Sequence, residues 1–167
     1  MKHYYQITRR TKMIMSNDST FYRSCIIEES YGYKAQETKE VYTGLKPLQI
    51  ISFNCKLSGS TLSGRKEVVK DILKSSSKIP IPIIPQQGIY IFPTTSSKNK
   101  NCIWLSYRHI KNYEEYNKNQ TIVTFIDGTS KIIHTSKAIF DKQYKRASQV
   151  IVYFNRNTLF GKGPKLW

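Results

Sequence analysis

The stretch GSTLSGRK, residues 59–66, has the glycine spacing of a phosphate-binding loop. In such a loop a lysine and then a serine or threonine follow the second glycine, where they hold the phosphates and the Mg²⁺ of a nucleotide. Here Arg65 and Lys66 occupy those positions, and an ammonium group cannot ligate a metal cation. The sequence therefore argues against an NTPase, although two adjacent cations could bind a different phosphate. The alternative is an ordinary surface loop with solvated charges.

A second nucleotide-binding signal, a mostly apolar strand that ends in aspartate, is also weak. Residues 122–126 precede Asp127, as in a Walker B strand. Asp127 is followed by Gly128, however, and Asp-Gly between two apolar stretches is a strong signal for a β-hairpin. We therefore predict that Asp127 is a turn residue.

The chain has a large positive charge, which favours polyanionic partners. Its 167 residues include 27 Lys and Arg but 11 Asp and Glu, which gives a formal net charge of +16. Residues 1–42 contain seven basic and five acidic residues, so residues 43–167 carry nearly all of the surplus. Such a field attracts DNA, RNA or an anionic membrane, and charge alone does not choose among them.

Several other classes of protein are not indicated. There is no apolar segment typical of a signal peptide, and no stretch approaches the roughly 20 apolar residues of a membrane span, so we expect a cytoplasmic protein. Cys25, Cys55 and Cys102 include no close pair, and we expect each to be a small buried side chain. A zinc site shared by Cys55, Cys102 and His109 has no support from spacing, and we expect no metal or other cofactor.

The apolar pattern predicts an α+β fold that is mainly β, with antiparallel strands and two short helices. The expected strands are residues 4–7, 12–15, 20–28, 48–53, 89–92, 103–110, 121–126, 131–134 and 150–154. Trp104 is expected in the core, on the face opposite to Ile103 and Leu105. Residues 79–85 contain three prolines, which remove backbone donors, so we expect an extended edge segment with its isoleucines packed inward. A recognition segment for a partner is the alternative there.

The expected helices are residues 67–74 and residues 137–147, the second with Thr135 or Ser136 as its N-cap. Because neither helix follows the other across a short turn, we expect no helix-turn-helix. We expect one β-rich domain over residues 1–154 and a basic, loosely ordered tail over residues 155–167.

Three segments of the chain resemble the ComK family of competence transcription factors. They are GLKPLQIISFNCKLSGSTLSGRK, IYIFPTTSSKNKNCIWLSYRHI and TIVTFIDGTSKIIHTSKAIFDKQYKRA, within residues 43–147. The most specific pieces are Lys46-Pro47-Leu48-Gln49-Ile50, Gly64-Arg65-Lys66, Phe92-Pro93-Thr94 with Ser96-Ser97, and Trp104 followed by a histidine-bearing strand.

The resemblance implies a DNA-binding activator of genes for DNA uptake. It implies binding to paired A/T-rich boxes, largely through the minor groove, by an oligomer with at least two copies of the chain. It also implies RNA polymerase and a proteolytic adaptor as partners, and a cytoplasmic location at the nucleoid without membrane contact. The family brings no catalytic residues to carry over.

The residues themselves agree with this kind of DNA binding. A·T tracts narrow the minor groove and deepen its negative potential, which attracts arginine and lysine side chains from loops. Arg65, in a loop without bulky neighbours, is the first candidate to enter the groove, with Lys66 on a flanking phosphate. Lys98 and Lys100 form a second candidate finger. The other candidate DNA contacts are Lys46, Lys56, Arg108 and Lys111.

Two other functions stay open at this point. An RNA- or single-strand-binding β-domain would expose aromatic side chains on one sheet face, and tyrosines stand beside charged residues at 107–109 and 113–116. A metal-free nuclease would need His109 and His134 to converge on one phosphate. A metal-dependent nuclease needs clustered carboxylates, and the acidic residues after residue 42 are scattered apart from Glu114-Glu115. We therefore expect no enzyme.

Overall fold

The computed structural model describes residues 4–17, 24–32 and 38–161, and over these residues the chain forms nine strands and four α-helices. The strands are β1 (Thr11–Asn17), β2 (Ser24–Ser30), β3 (Thr38–Thr43), β4 (Ile81–Ile84), β5 (Ile89–Pro93), β6 (Ile103–Ser106), β7 (Ile110–Asn117), β8 (Gln120–Phe125) and β9 (Ser130–Ile133). The helices are α1 (Pro47–Leu57), α2 (Leu62–Leu73), α3 (Lys137–Phe154) and α4 (Arg156–Phe160).

The strands form two antiparallel sheets, which confirms the predicted α+β class. The larger sheet has six strands in the order β3-β2-β1-β6-β5-β4, and the smaller has three in the order β7-β8-β9. Neighbouring strands pair antiparallel throughout both sheets of the described chain.

The six-stranded sheet has a hydrophobic core on each face. Ile14 and Trp104 are paired across β1 and β6, and both belong to the core that α1 and α2 cover. Met13 and Leu105, the next pair, belong to a second core shared with β7, β8 and β9. Ile103 lies in this second core as well, which confirms the prediction that Trp104 faces away from Ile103 and Leu105.

Residues 48–53, which we predicted to be a buried strand, lie in α1 instead. Pro47 occupies the first turn of the helix, where its missing N–H is not needed, and the Gln49 side chain accepts from the Lys46 N–H at 2.9 Å. The strand prediction was wrong because a short apolar run does not distinguish a buried strand from a buried helix. The buried positions recur at helical spacing, at Ile50, Ile51, Asn54 and Cys55.

A short turn at residues 58–61 joins α1 to α2, so two helices do follow each other closely in this fold. The helices that we predicted, α2 and α3, remain far apart in sequence. Glu67 and Asp71 are exposed on α2 beside Lys66 and Lys70. Because acidic side chains are repelled by phosphates, Glu67 and Asp71 offset part of the positive charge that Lys66 and Lys70 give this surface.

Helix α3 is longer than predicted. Its N-cap is Ser136, as expected, and the Ser136 hydroxyl accepts from the Ile139 N–H at 3.4 Å. Residues 150–154, predicted to be a strand, continue the helix because the fully buried Val150 packs into the α1–α2 core. Tertiary packing here overrides the strand preference of β-branched residues. The short helix α4 follows, so residues 156–160 of the predicted tail are helical, and residues 162–167 lie outside the described part of the chain.

Two further strand predictions differ from the structure. Residues 4–7 do not form a strand, and the strand predicted over residues 103–110 ends at Ser106. A 3-10 turn at Tyr107–His109 then redirects the chain from the larger to the smaller sheet. Strands β3 and β7 were not predicted. Part of the strand expected at residues 20–28 lies outside the described residues.

The proline-rich segment behaves as predicted. It supplies β4, an edge strand of the six-stranded sheet, whose Ile81 and Ile83 are fully buried. An edge strand pairs on one side only. The backbone N–H that Pro82 lacks can therefore fall on the open side, where it leaves no carbonyl of a neighbouring strand unpaired.

The cysteines are buried, as predicted. Burial raises the pKa of the Cys55 thiol to about 11. No group of His, Cys, Asp and Glu in the described residues could hold a metal ion. None of the helices in the described part of the chain is both long and apolar enough to cross a membrane.

A buried ion pair joins the two sheets. Lys12 in β1 is fully buried, and its Nζ lies 2.9 Å from Asp127 Oδ2, 2.8 Å from Thr129 Oγ1 and 3.2 Å from Glu28 Oε1. The same Nζ lies 4.9 Å from the ring centroid of Phe125. Asp127 lies in the turn between β8 and β9, which confirms its prediction as a turn residue.

Asp127 is ionised in this setting. Burial acts to raise its pKa, but hydrogen bonds from Thr129 and Lys12 outweigh burial and hold the pKa well below its usual value. Thr38 at the start of β3 also donates to Asp127 Oδ2, at 3.1 Å. Because the folded pKa is depressed, this stabilisation is present above the unfolded pKa of about 3.9 and is lost as the pH falls through the folded pKa.

We expect Lys12→Met to lower the free energy of unfolding by about 3 to 5 kcal/mol, because it leaves Asp127 buried without its cation. The double variant Lys12→Met with Asp127→Asn removes both charges, and we expect it to be more stable than the single variant. Equilibrium urea unfolding followed by circular dichroism measures both. With Asp127→Asn measured as the second single variant, a double variant whose loss equals the sum of the two single losses would show that the pair is not coupled.

Candidate nucleic-acid interface

The basic residues predicted to contact DNA lie in separate regions of the fold. One region, around α1 and α2, holds Lys46, Lys56, Arg65 and Lys66; a second, the loop between β5 and β6, holds Lys98 and Lys100; a third, where the two sheets meet, holds Arg108 and Lys111.

Strand register places the second and third regions at opposite ends of the six-stranded sheet. β5 and β6 are antiparallel, with Pro93 opposite Trp104. The loop at residues 94–101 leaves the sheet directly after Pro93, whereas Arg108 follows Ser106 at the other end of β6. The two predicted sets of contacts therefore do not form one surface.

We expected Arg65 to lie in a protruding loop, and this prediction was wrong. Thr61 caps α2 by accepting from the Gly64 N–H at 2.9 Å, so Arg65 lies in the first turn of that helix. Its guanidinium donates to Ser58 Oγ at 3.4 Å, and its Nε is buried without a hydrogen-bond partner among the described residues. The Gly/Ser-rich composition suggested a loop, but the same residue types cap and begin a helix.

The lysines near α1 and α2 are more accessible. Lys46 is exposed directly before α1, and Lys56 is exposed in the last turn of that helix. Lys66 is half-buried and lines a shallow depression with Ser63 and Lys70 of α2. These lysines are available for phosphate contacts, although Glu67 shares the depression with Lys66.

In the third region, two arginines distant in sequence converge on one backbone oxygen. Arg9 donates from Nε to the carbonyl oxygen of Gln87 at 3.2 Å, and Arg108 approaches the same oxygen from Nη1 at 3.5 Å. Both side chains are exposed. We call the surface formed by Arg9, Arg10, Arg108 and Lys111 the arginine end of the sheet.

The turn that carries Arg9 and Arg10 is held by several hydrogen bonds. The Thr11 N–H donates to the Thr8 carbonyl at 3.1 Å, and the Arg10 N–H donates to the Thr8 hydroxyl at 3.1 Å. The Arg10 carbonyl accepts from the Ser30 N–H at 2.8 Å. The Arg10 guanidinium lies 4.7 Å from the ring centroid of Tyr31, in cation–π contact. The turn therefore presents its arginines from a fixed backbone.

His109 connects this turn to the one that carries Arg108. Its Nε2 lies 2.6 Å from the Arg9 carbonyl oxygen, and its own carbonyl accepts from the Ile126 N–H at 2.9 Å. Burial lowers the pKa of His109; the hydrogen bond to Arg9 opposes this shift, and the charges of Arg108 and Lys12 add to it. The imidazole is therefore neutral at pH 7 and donates from Nε2 to Arg9.

Comparison with known proteins identifies the family of this chain. The model of the ComK protein family matches residues 2–158. The chain belongs to the ComK family. A curated relative, the competence transcription factor of Bacillus subtilis (strain 168), is 36% identical over 107 residues, which cover 64% of this chain and 56% of that protein. The ComK-family chain thus matches just over half of the length of this relative. No solved structure shows a significant match.

Two of the tyrosines that suggested single-strand binding pack against other aromatic rings of this ComK-family protein. Tyr107 stacks on Tyr144 with ring centroids 4.7 Å apart, and Tyr113 packs edge-on against Phe140 at 4.9 Å. Tyr116 is 55% exposed and belongs to the same tyrosine-rich segment. Tyr107 and Tyr113 are therefore not free to stack on bases, which weakens the single-strand alternative for this segment.

The two histidines proposed for a metal-free nuclease do not converge. His109 is buried beside the start of β7, whereas His134 follows β9 and bonds to Gln120 at 3.0 Å. Strand pairing sets Ile110 opposite Phe125 and Asn117 opposite Gln120, so the histidines lie toward opposite ends of the three-stranded sheet. These two side chains cannot act on one phosphate.

Arg9 and Arg10 were missed from the sequence. An Arg-Arg pair before a predicted strand is a local signal, but it indicates only an exposed basic turn. The convergence of Arg9 with Arg108 depends on the pairing of β1 with β6 and of β6 with β5, which no local pattern reveals.

The pH dependence of stability tests the neutral state of His109. Its folded pKa lies below the unfolded value of about 6.5, so its stabilisation is complete above that value and is lost as the pH falls toward the folded pKa. We expect the melting temperature of the wild type to fall between about pH 7 and pH 5 more than that of His109→Gln, whose amide can still donate to Arg9. Thermal melts across this range measure the difference, and parallel profiles would contradict a neutral buried imidazole.

Proposed function

We propose that this chain is a DNA-binding transcriptional activator of genes for DNA uptake. Membership of the ComK family supports this proposal most strongly, because the family model matches nearly the whole chain. The name of its relative, a competence transcription factor, points the same way. The net charge of +16 supplies the general attraction to a phosphate backbone that such a protein needs.

The DNA sites in this proposal are A/T-rich duplexes that the protein reads largely through the minor groove. Helix α2, which follows α1 across a short turn, displays Glu67 and Asp71 among its lysines, which weakens its case as a recognition helix. Exposed basic loops, such as residues 94–101 with Lys98 and Lys100, suit the minor groove, because A·T tracts narrow it and strengthen its negative potential. Binding to paired boxes would use two or more copies of the chain at the nucleoid, with RNA polymerase and a proteolytic adaptor as further partners.

The structural surroundings of the candidate residues make some of them better suited to contact DNA than others. Arg108 and Lys111 belong to the arginine end, where both are exposed and Arg108 approaches the same Gln87 carbonyl as Arg9. Exposed lysines elsewhere are candidate phosphate contacts, at Lys46, Lys56, Lys98 and Lys100, and Lys66 is a half-buried one. Arg65 is the least suited to entering a groove, because its guanidinium faces Ser58 in the protein.

Replacement of Arg65 tests the groove-entry interpretation. We expect Arg65→Ala to lower the melting temperature, because it removes a half-buried side chain, and to leave the preference for A/T-rich duplex unchanged. Fluorescence anisotropy with A/T-rich and G/C-rich duplexes measures the preference. Loss of that preference in a folded variant would instead support groove entry by Arg65.

A salt-titrated binding series tests the function itself. The ligands are a duplex with paired A/T-rich boxes, a G/C-rich duplex of the same length and a single strand. We expect tighter binding to the A/T-rich duplex that persists at moderate salt, because groove contacts add to the salt-sensitive phosphate contacts. Equal binding to all three that collapses with salt would leave only a non-specific positive field. Tighter binding to the single strand would favour a single-strand-binding domain.

A further inference from the structure

The arginine end combines exposed guanidinium groups with a rigid backbone. Arg9 and Arg108 share the Gln87 carbonyl as acceptor, and each guanidinium has further N–H donors directed to solvent. The hydrogen bond from His109 to the Arg9 carbonyl fixes the two backbones relative to each other. The pair is therefore held in place before any ligand arrives.

No ion pair within the described chain balances the charge of Arg9 and Arg108, and the Glu29 carboxylate accepts from the hydroxyl of Tyr31, whose ring contacts Arg10. The ion pairs among the described residues involve Lys12 and Lys145, and none of them involves Arg9, Arg10 or Arg108. Two guanidinium groups near one oxygen repel each other, and a carbonyl dipole offsets this only in part. An anion that accepts from both arginines would remove the repulsion.

We propose that Arg9 and Arg108 together bind one backbone phosphate of duplex DNA, with Arg10 and Lys111 beside them facing flanking phosphates. This inference rests on the proposed function and assigns its contact surface. Guanidinium groups donate to phosphate oxygens through parallel N–H bonds, and a phosphate has enough acceptor positions for two such groups.

The placement of the two side chains favours a phosphate over a base edge. Each arginine is tied to the protein surface by the Gln87 carbonyl, so the guanidinium groups lie side by side. Reading a base in the minor groove needs an arginine that extends into a space only about 6 Å wide. A paired phosphate contact fixes the position of the protein on the duplex and carries no sequence information itself.

The test uses Arg9→Ala, Arg108→Ala and the double variant of the full chain, with the A/T-rich and G/C-rich duplexes. We expect each single variant to weaken binding by about tenfold at low salt on both duplexes, since a charge-assisted hydrogen bond is lost. The double variant should lose little more affinity than the single variant that binds DNA less tightly, because both arginines contact one phosphate. Its log Kd against log salt slope should fall by about 0.9, the contribution of one phosphate.

Two further variants separate this contact from a general loss of charge. Lys118→Ala removes an exposed charge beyond Asn117, at the end of β7 away from Arg108, and it should change neither affinity nor slope appreciably. Arg9→Lys keeps the charge but loses the planar fork, so we expect weaker binding with an unchanged salt slope. Melting temperatures confirm that each variant is folded.

Four outcomes would overturn the inference. Unchanged affinity in the double variant would remove the arginine end from the interface. Losses that multiply, with a slope change of about 0.9 for each single variant, would mean two separate phosphates. A reduced A/T preference would mean base readout. Wild-type protein that binds no duplex would defeat the proposed function as well, whereas the other outcomes leave that function standing.

Discussion

The buried ammonium of Lys12 is the interaction on which the arrangement of this protein depends. It lies in the central part of the six-stranded sheet, and it contacts Asp127 and Thr129 in the β8–β9 turn and Glu28 in β2. Thr38 at the start of β3 adds a hydrogen bond to the same carboxylate. A buried charge is strongly destabilising when its partner moves away, so the ion pair favours this docking of the two sheets over shifted ones. The hydrophobic core between the sheets is non-directional by comparison.

The position of the arginine end follows from this docking. Ile126 is the first residue of the β8–β9 turn that carries Asp127, and its N–H donates to the carbonyl of His109. His109 in turn holds the backbone of Arg9, and Arg108 precedes His109 in the same 3-10 turn. A continuous set of hydrogen bonds therefore leads from the buried ion pair to the exposed arginines. In the proposed contact with DNA, such a fixed surface would avoid the entropy loss of ordering a flexible basic loop.

The sequence predicted those parts of the fold that depend on the conformational preferences of a few neighbouring residues. The Asp127-Gly128 turn, the Ser136 cap and the proline-bearing edge strand each follow from residue types whose conformations are restricted, and each is confirmed. The apolar runs at residues 48–53 and 150–154 were assigned to strands because periodicity is ambiguous over so few residues. Pro47 marked the first of them as a helix start. Arg108 and Lys111 were candidate contacts from the sequence and stay candidates, whereas the approach of Arg9 to Arg108 depends on contacts between strands distant in the chain.

The most direct test of this account is a nuclear magnetic resonance titration of the isotopically labelled chain with the duplex that carries paired A/T-rich boxes. Backbone amide shifts report which surface meets the DNA without any substitution. The account predicts that the largest shifts fall on residues 8–11, 86–88 and 107–111, which form the arginine end and its support. Largest shifts on residues 46–66 or on the loop at residues 94–101, with the arginine end unchanged, would contradict it.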